Sequence, residues 1–133
     1  MSTIEHLRPE GLFQNPAYSH AVTASGTRTI YVSGQVSVDE KGEVVGNGDL
    51  AAQTTQVMHN LSLALAAAGA TFAHLVRTTT YVVDYKPEHR AIIGKARAAA
   101  YQDIIPPAST LVGVASLAVP EWLIEIEAVA VVD

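Results

Sequence analysis

The stretch from Leu123 to Val132 alternates in the manner of a β-strand, yet neither of its faces has the composition of a solvent face. Because side chains alternate across a strand, one face holds only apolar residues, while the other carries both Glu125 and Glu127 at one end. The apolar residues of the first face are Ile124, Ile126, Ala128, Ala130 and Val132. The pattern predicts that the chain buries the first face. It also predicts that a second copy covers the other face, with a polar cleft near the glutamates.

Two other stretches have the spacing of amphipathic helices. The first covers residues 50–68, where apolar or small side chains recur at helical intervals. Asp49 is suited to cap its start, and Gly69 is suited to end it. The second helix is predicted to begin at Pro87, a residue favoured in the first turn, and to end near Tyr101.

The remaining ordered segments predict strands, because they are short, rich in β-branched residues and bounded by turn residues. They are Val22–Ala24, Thr29–Val32, a short piece at Val36 and Val38, Leu75–Val83 and Thr110–Val114. The first two flank Ser25-Gly26-Thr27, which predicts a tight turn between them. The resulting order, β-β-(β)-α-β-α-β-β, predicts an α+β fold of two layers, with two helices on one face of a mixed sheet.

Composition restricts the class of protein. With 133 residues the chain is expected to form one domain, residues 1–133. Hydrophobic residues make up 49% and charged residues 16%, against a usual charged share of about 25%, which favours an oligomer. The net charge is −5 and the eight basic residues are scattered, so no nucleic-acid partner is expected.

The chain has no cysteine, which excludes disulfides, thiol catalysis and cysteine-ligated metals. No run approaches the roughly 20 apolar residues of a membrane span, and Met1 to Pro9 lacks the apolar run of a signal peptide. A cytoplasmic protein with no membrane partner is therefore expected.

Glu125 and Glu127 are the first candidates for chemistry, because an unpaired buried carboxylate is costly. Partial burial would raise the pKa of one of them above its reference of about 4.3, which suits it to proton transfer near neutral pH. The alternative is a purely structural salt bridge to an arginine of a neighbouring strand, such as Arg77 or Arg28.

Two further segments are candidates for ligand contacts. Gly34 interrupts a strand pattern, which marks either a close approach of ligand to backbone or a simple bend. Ser109 and Thr110 place two hydroxyls near the start of a strand, where they bind either a ligand carboxylate or only the local backbone.

Metal and cofactor sites have little support. The five histidines form no i,i+4 pair and no HExxH motif, so they are expected to be surface or capping residues and no metal is expected. Phosphate-binding glycine motifs and the GxSxG motif of serine hydrolases are also missing from the sequence, and no cofactor is expected.

Taken together, several motifs resemble the Rid family of reactive intermediate deaminases, also called YjgF or L-PSP proteins. The resemblance covers nearly the whole chain, and the pairing of SGQ with IEIEAVA is specific. The motifs are Tyr18, Ile30–Gln35, Ala66–Gly69, Val76–Val82, Pro107-Ala108 and Ile124–Ala130.

The resemblance implies a chorismate-mutase-like α+β fold assembled as a homotrimer. Its sheets would form a central barrel with the helices outside and three small-molecule clefts between subunits. The best-known members hydrolyse enamines and imines, such as 2-aminoacrylate, to 2-oxo acids and ammonia. By motif, the glutamate that positions or activates water falls on Glu125. The residues lining the cleft fall on Tyr18, Ser33 and Gly34.

The chain departs from this family at one position. Where the family has Pro-Ala-Arg, with the arginine binding the substrate carboxylate, this sequence has Pro107-Ala108-Ser109. Leu111 stands where many members have a cysteine. Loss of one charge-assisted contact costs on the order of 1.5–3 kcal/mol, or roughly 10–100-fold in binding.

Three functions follow from these observations. The first is hydrolysis of a C=N or enamine bond of a small metabolite, with Ser109 and Thr110 holding a polar group of the substrate. The second is a trimer that binds a metabolite or a partner in the same clefts without catalysis, which the missing arginine favours. The third, a ribonuclease, is the weakest because the chain is acidic and has no basic patch.

Overall fold

The computed structural model describes residues 2–133, which form six strands and two helices with a one-turn 3₁₀ helix at Phe72–His74. In chain order the elements are β1 Thr3–Leu7, β2 Ala21–Ser25, β3 Arg28–Val36, α1 Leu50–Ala67, β4 Leu75–Val83, α2 His89–Tyr101, β5 Ala108–Val114 and β6 Ile124–Val132. β3 to β6 form a four-stranded sheet in the order β3-β6-β4-β5, and β1 pairs with β2 in a separate small sheet. In the larger sheet β4 and β5 are parallel, and the other pairs are antiparallel.

The α+β prediction is confirmed, because both helices contribute to one core on one face of a mixed sheet. α1 supplies Val57, Leu61 and Leu65, which are completely buried. α2 supplies Ile93 and Tyr101 to the same core. Within residues 2–133 the opposite face of the sheet carries no helix, and we call it the open face.

The predicted faces of the last strand are also confirmed. Its apolar face is 0–5% exposed and packs in the core under the helices; these residues are Ile124, Ile126, Ala128, Ala130 and Val132. On the open face Glu125 is half-buried and Glu127 is exposed. The two glutamates therefore share a face that the helices do not cover.

The residues predicted to cap and to end α1 do so in the structure. The Asp49 carboxylate accepts a hydrogen bond from the main-chain N–H of Ala52 at 3.0 Å, which caps the first turn. Gly69 adopts a φ of +76°, a conformation that favours glycine, and so turns the chain after the helix. α2 begins at His89, two residues after the predicted Pro87, and ends at Tyr101 as predicted.

The predicted hairpin between the segments 22–24 and 29–32 is wrong. Both strands exist, but β2 pairs with β1 while β3 pairs with β6. Gly26 lies between them with its Cα so close to β6 that an added Cβ would meet Val132 O at 2.8 Å. The chain therefore crosses from one sheet to the other at Gly26 instead of turning back on itself.

Two other differences concern strands. β1, Thr3–Leu7, was not predicted from the sequence. The short strand predicted at Val36 and Val38 is not separate, because β3 continues through Gly34 as far as Val36, and Val38 makes only an isolated bridge to Val44. No helix within residues 2–133 has the length and apolar character needed to span a membrane.

Candidate functional site

The predicted site residues fall into two groups that the sheet separates. Ser109 of β5 is in register with Thr78 of β4, which is in register with the buried Ala128 of β6, so Ser109 points toward the helices. Thr110 follows Ser109 and therefore points to the open face, where Glu125 also lies. Glu125 and Ser109 of one chain are thus on opposite faces of the sheet.

Ser33 and Gly34 lie beside Glu125. The pairing of β3 with β6 is irregular between Val32 and Gln35, and β3 continues on the other side of this irregularity. A Cβ at Gly34 would overlap the Glu125 carboxylate and would lie 2.7 Å from its Cδ. Because Gly34 has no side chain, the Glu125 carboxylate can lie against the main chain at this position. Ser33, the residue before Gly34, is exposed.

The pKa of Glu125 is raised above its ordinary value, in the direction predicted from the sequence. Partial burial is the larger cause, because it penalises the charged form, and the negative charge of Glu127 is the second. A carboxylate with a raised pKa is a better acceptor of a proton near neutral pH than an ordinary surface glutamate.

The carboxylate of Glu127 accepts a hydrogen bond from a tyrosine, whereas the structural alternative was a salt bridge to an arginine. The Tyr81 hydroxyl donates a hydrogen bond to its carboxylate, and this bond raises the pKa of Tyr81. Among residues 2–133, no arginine nitrogen lies within ion-pair distance of either glutamate, although Arg77 lines the same small open-face cavity of about 230 Å³ as Glu127. Arg28 instead donates to main-chain oxygen atoms of Asp133 and Ala68.

Replacing Glu127 with glutamine is expected to lower the pKa of Glu125. The substitution removes the neighbouring negative charge that disfavours the ionised form of Glu125, while its burial remains. Titration of the Glu125 carboxyl carbon by ¹³C NMR measures the shift directly. As a control, Glu121→Gln removes the same charge from an exposed site that does not perturb Glu125. A Glu125 midpoint that is unchanged or raised in Glu127→Gln would contradict this account.

The second group faces a cavity of about 700 Å³ between α2, β5 and the segment that precedes β2. Ser109 and Tyr18 both line it. Ser19 holds this segment against the strand, because its N–H and its hydroxyl donate to the carbonyl oxygens of Pro107 and Pro106 at 3.2 and 2.7 Å. These two hydrogen bonds hold the neighbouring Tyr18 near the N-terminal end of β5.

The cavity is mostly apolar, with several neutral polar groups and two arginines. Its lining residues are Asn15, Pro16, Ala17, Tyr18, Tyr85, Arg90, Ile93, Gly94, Arg97, Ala98, Tyr101, Gln102, Ile104, Pro106, Ser109, Leu111 and Gly113. A volume of this size falls in the range of roughly 300–1,000 Å³ that is usual for small-molecule sites. No aspartate or glutamate lines it among the residues that the structure describes.

The arginines of the cavity were missed from the sequence. Arg97 donates from Nη2 to Oγ of Ser109 at 3.2 Å, so a guanidinium lies directly at position 109. A signal for it exists, because Arg90, Ile93, Arg97 and Tyr101 recur every three or four residues and so share one face of α2. Ile93 and Tyr101 bury that face, which turns the arginines toward the cavity.

Two histidines bind main-chain N–H groups, and one of them, His74, caps the 3₁₀ helix at Phe72–His74 as expected. The ring nitrogens of His74 and His89 accept hydrogen bonds from the main-chain N–H groups of Thr71 and Lys86 at 2.9 and 3.1 Å. Within residues 2–133, no group of three or more potential ligands among histidine, aspartate and glutamate is placed to hold a metal ion.

Comparison with known proteins gives concordant matches. The profile of the family described as "Endoribonuclease L-PSP" matches residues 12–132. A crystal structure of a protein of the conserved Rid family, YyfB from Yersinia pestis, superposes with a TM-score of 0.93 at 44% identity, covering 96% of this chain and 98% of that one.

Sequence comparison also finds relatives of known name, among them the following two. Protein DfrA of Myxococcus xanthus is 35% identical over 117 residues, which are 86% of this chain and 84% of that protein. The 2-iminobutanoate/2-iminopropanoate deaminase of Rattus norvegicus is 41% identical over 68 residues. The latter match spans only about half of each chain, 51% of this one and 48% of the deaminase.

Proposed function

Since this chain belongs to the endoribonuclease L-PSP family, also called the Rid family, we propose that it hydrolyses the C=N bond of a small imine metabolite. An enamine substrate enters the same reaction through its imine tautomer. Water adds to the imine carbon, and the C–N bond then breaks, so that the products are a carbonyl compound and ammonia. The observation that carries the proposal is the half-buried Glu125 carboxylate, with its raised pKa, seated against the main chain at Gly34.

Glu125 is assigned the role of general base. Its ionised carboxylate orients a water molecule and accepts one of its protons as the oxygen attacks the imine carbon. Glu125 passes this proton to the nitrogen. The nitrogen takes the second proton from the new hydroxyl group as the C=O bond forms, and it leaves as ammonia. Because the pKa of Glu125 is raised, its conjugate acid forms more readily than that of an ordinary glutamate, which favours the transfer of a proton from water.

The complete cleft is proposed to form between two copies of the chain in a homotrimer. Glu125 lies on the open face of the sheet, whereas Tyr18 and Ser109 line the helix-side cavity, so one chain does not bring them together. The open face has the exposed aromatic ring of Tyr31, which is 79% accessible, and is suited to packing against another copy. In this arrangement Ser33 and Gly34 line the Glu125 side of the cleft, and Thr110 contributes a hydroxyl from the open face.

Imine hydrolysis tests the proposal directly. Amino-acid oxidase generates 2-imino acids in situ from several amino acids, and semicarbazide traps the imine that remains. Less semicarbazone should form when this protein is present. Unchanged trapping across the panel, with the assembly intact by sedimentation, would refute the deaminase function and favour the alternative of ligand binding without turnover, which Ser109 in place of an arginine supports.

A further inference from the structure

We propose that Arg97 of α2 is the carboxylate-binding residue of the helix-side cavity, and that the ligand of this cavity is a small organic acid with an uncharged remainder. The inference rests on the proposed function for the reaction, and it adds the residue that selects the substrate. It follows from four features of the cavity: its charge, the anchoring of Arg97, the apolar lining and the position of Ser109.

The charge of the cavity is positive. Among the residues that the structure describes, the ionised side chains that line it are Arg90 and Arg97, and none of the lining residues is acidic. Among residues 2–133, no carboxylate lies within 4 Å of the Arg97 guanidinium. A half-buried cation in a mostly apolar cavity has lost much of its hydration, so an anionic ligand is its natural partner.

Arg97 is held in place for such a role. One guanidinium nitrogen donates to Ser109 Oγ at 3.2 Å, and the guanidinium carbon lies 5.9 Å from the centre of the Tyr101 ring. Burial raises the pKa of Tyr101, so its phenol stays neutral and does not compensate the charge of Arg97. An arginine has five N–H donors, which leaves a pair for a carboxylate beyond its hydrogen bonds to Ser109 and Tyr101. Arg90, in contrast, is exposed.

The remainder of the cavity defines the rest of the ligand. Most side chains that line the cavity with Arg97 are apolar or aromatic, among them Ile93, Ile104 and Leu111. They favour a short hydrocarbon chain over a second charge. A small 2-imino acid has this combination of one carboxylate and one short apolar chain.

The position of Arg97 explains the serine at position 109. The resemblance described above places an arginine at this position of β5, and Ser109 lacks that charge. Arg97 brings a guanidinium from α2 to the same point, because its Nη2 bonds to the Ser109 hydroxyl. A second arginine side chain at position 109 would compete with Arg97 for this space.

Binding of a stable 2-oxo acid tests the proposal without turnover. 2-Oxobutanoate is titrated into the full chain in its native assembly, and the dissociation constant is obtained from NMR chemical-shift changes. Arg97→Gln is expected to weaken binding about 10–100-fold, because one charge-assisted contact is lost. Arg97→Lys should retain part of the affinity, since it keeps the charge but not the planar fork. Lys95→Gln, which removes a charge from the same helix outside the cavity lining, should leave affinity unchanged.

A transfer of the charge provides a second test. The double variant Arg97→Gln with Ser109→Arg supplies the guanidinium from β5 instead of α2. Its affinity for 2-oxobutanoate should be higher than that of Arg97→Gln alone. The uncharged 2-oxobutanamide should bind far more weakly than 2-oxobutanoate to the wild type.

Several results would overturn the assignment. They are an unchanged affinity in Arg97→Gln, a larger loss in Arg90→Gln, equal binding of 2-oxobutanamide, equal binding of inorganic phosphate, and no binding of 2-oxobutanoate by the wild type. These outcomes concern binding alone. Retained binding together with absent imine hydrolysis would refute the proposed reaction and leave the role of Arg97 in place.

Discussion

Replacing Glu125 with glutamine is expected to reduce the rate of imine hydrolysis by about 10²–10⁴-fold, the usual contribution of a general base. Glutamine keeps the size of the side chain and its seat against Gly34, but it does not accept a proton from water. The semicarbazide assay measures the loss. Because Glu125 is half-buried without an ion-pair partner among the described residues, the fold and the oligomeric state should survive the substitution.

Glu127→Gln is the matched control for this experiment. It changes a glutamate on the same face of the same strand, whose carboxylate is engaged by the Tyr81 hydroxyl. Measured at a pH above the titration of Glu125, this variant should retain most of the turnover. Full turnover in Glu125→Gln, with circular dichroism and sedimentation unchanged, would show that the mechanism is wrong even though the family is established.

Much of the fold was accessible from local patterns. The caps of α1 were predictable because Asp49 and Gly69 act on the backbone within a few residues of themselves. The faces of β6 were predictable because alternation along a strand is fixed by its geometry, whatever strands lie beside it. The location of Glu125 beside Gly34 was not predicted from either segment, because it depends on the pairing of β3 with β6; only the family resemblance assigned both residues to one cleft.

Strand pairing was less accessible, because it depends on contacts distant in sequence. β2 and β3 are separated by Gly26 and Thr27, which is the spacing of a hairpin, yet each strand has a different partner. β3 pairs with β6 instead, and this pairing lets Ile30 and Val32 pack against the hydrophobic core. β1 escaped prediction because Thr3–Leu7 contains only two large apolar residues and gains its order by pairing with β2.

The role of Arg97 in the site was also hard to predict, because it too depends on contacts distant in sequence. Its distance to Ser109 depends on how α2 packs over β5, and nothing in the residues near Ser109 indicates an arginine from another element. In the sequence Arg97 is one of eight scattered basic residues, so its charge alone does not distinguish it from the others. The helical spacing of Arg97 with the buried Ile93 and Tyr101 was the usable signal, because it sets the side of the helix on which the guanidinium lies.

Gly34→Ala is expected to lower imine hydrolysis about 100-fold while leaving the fold intact, since a misplacement of about 1 Å at a catalytic group has that effect. The added Cβ overlaps the Glu125 carboxylate and lies 2.7 and 2.8 Å from its Cδ and Cγ, whereas ordinary contacts are 3.4 Å or longer. All three of its nearest atoms belong to the end of this one flexible side chain, so the carboxylate moves and the backbone does not.

A double-mutant cycle with Glu125→Ala separates displacement of the carboxylate from a general effect on the strand. Gly34 does not have a positive φ, so alanine is compatible with its backbone. In the Glu125→Ala background the obstructing atoms are absent, and Gly34→Ala should cost no stability in urea unfolding at fixed protein concentration. In the wild-type background it should displace the Glu125 NMR signal and reduce turnover. Wild-type turnover in Gly34→Ala, or an equal loss of stability in both backgrounds, would show that Gly34 serves the strand and not the position of Glu125.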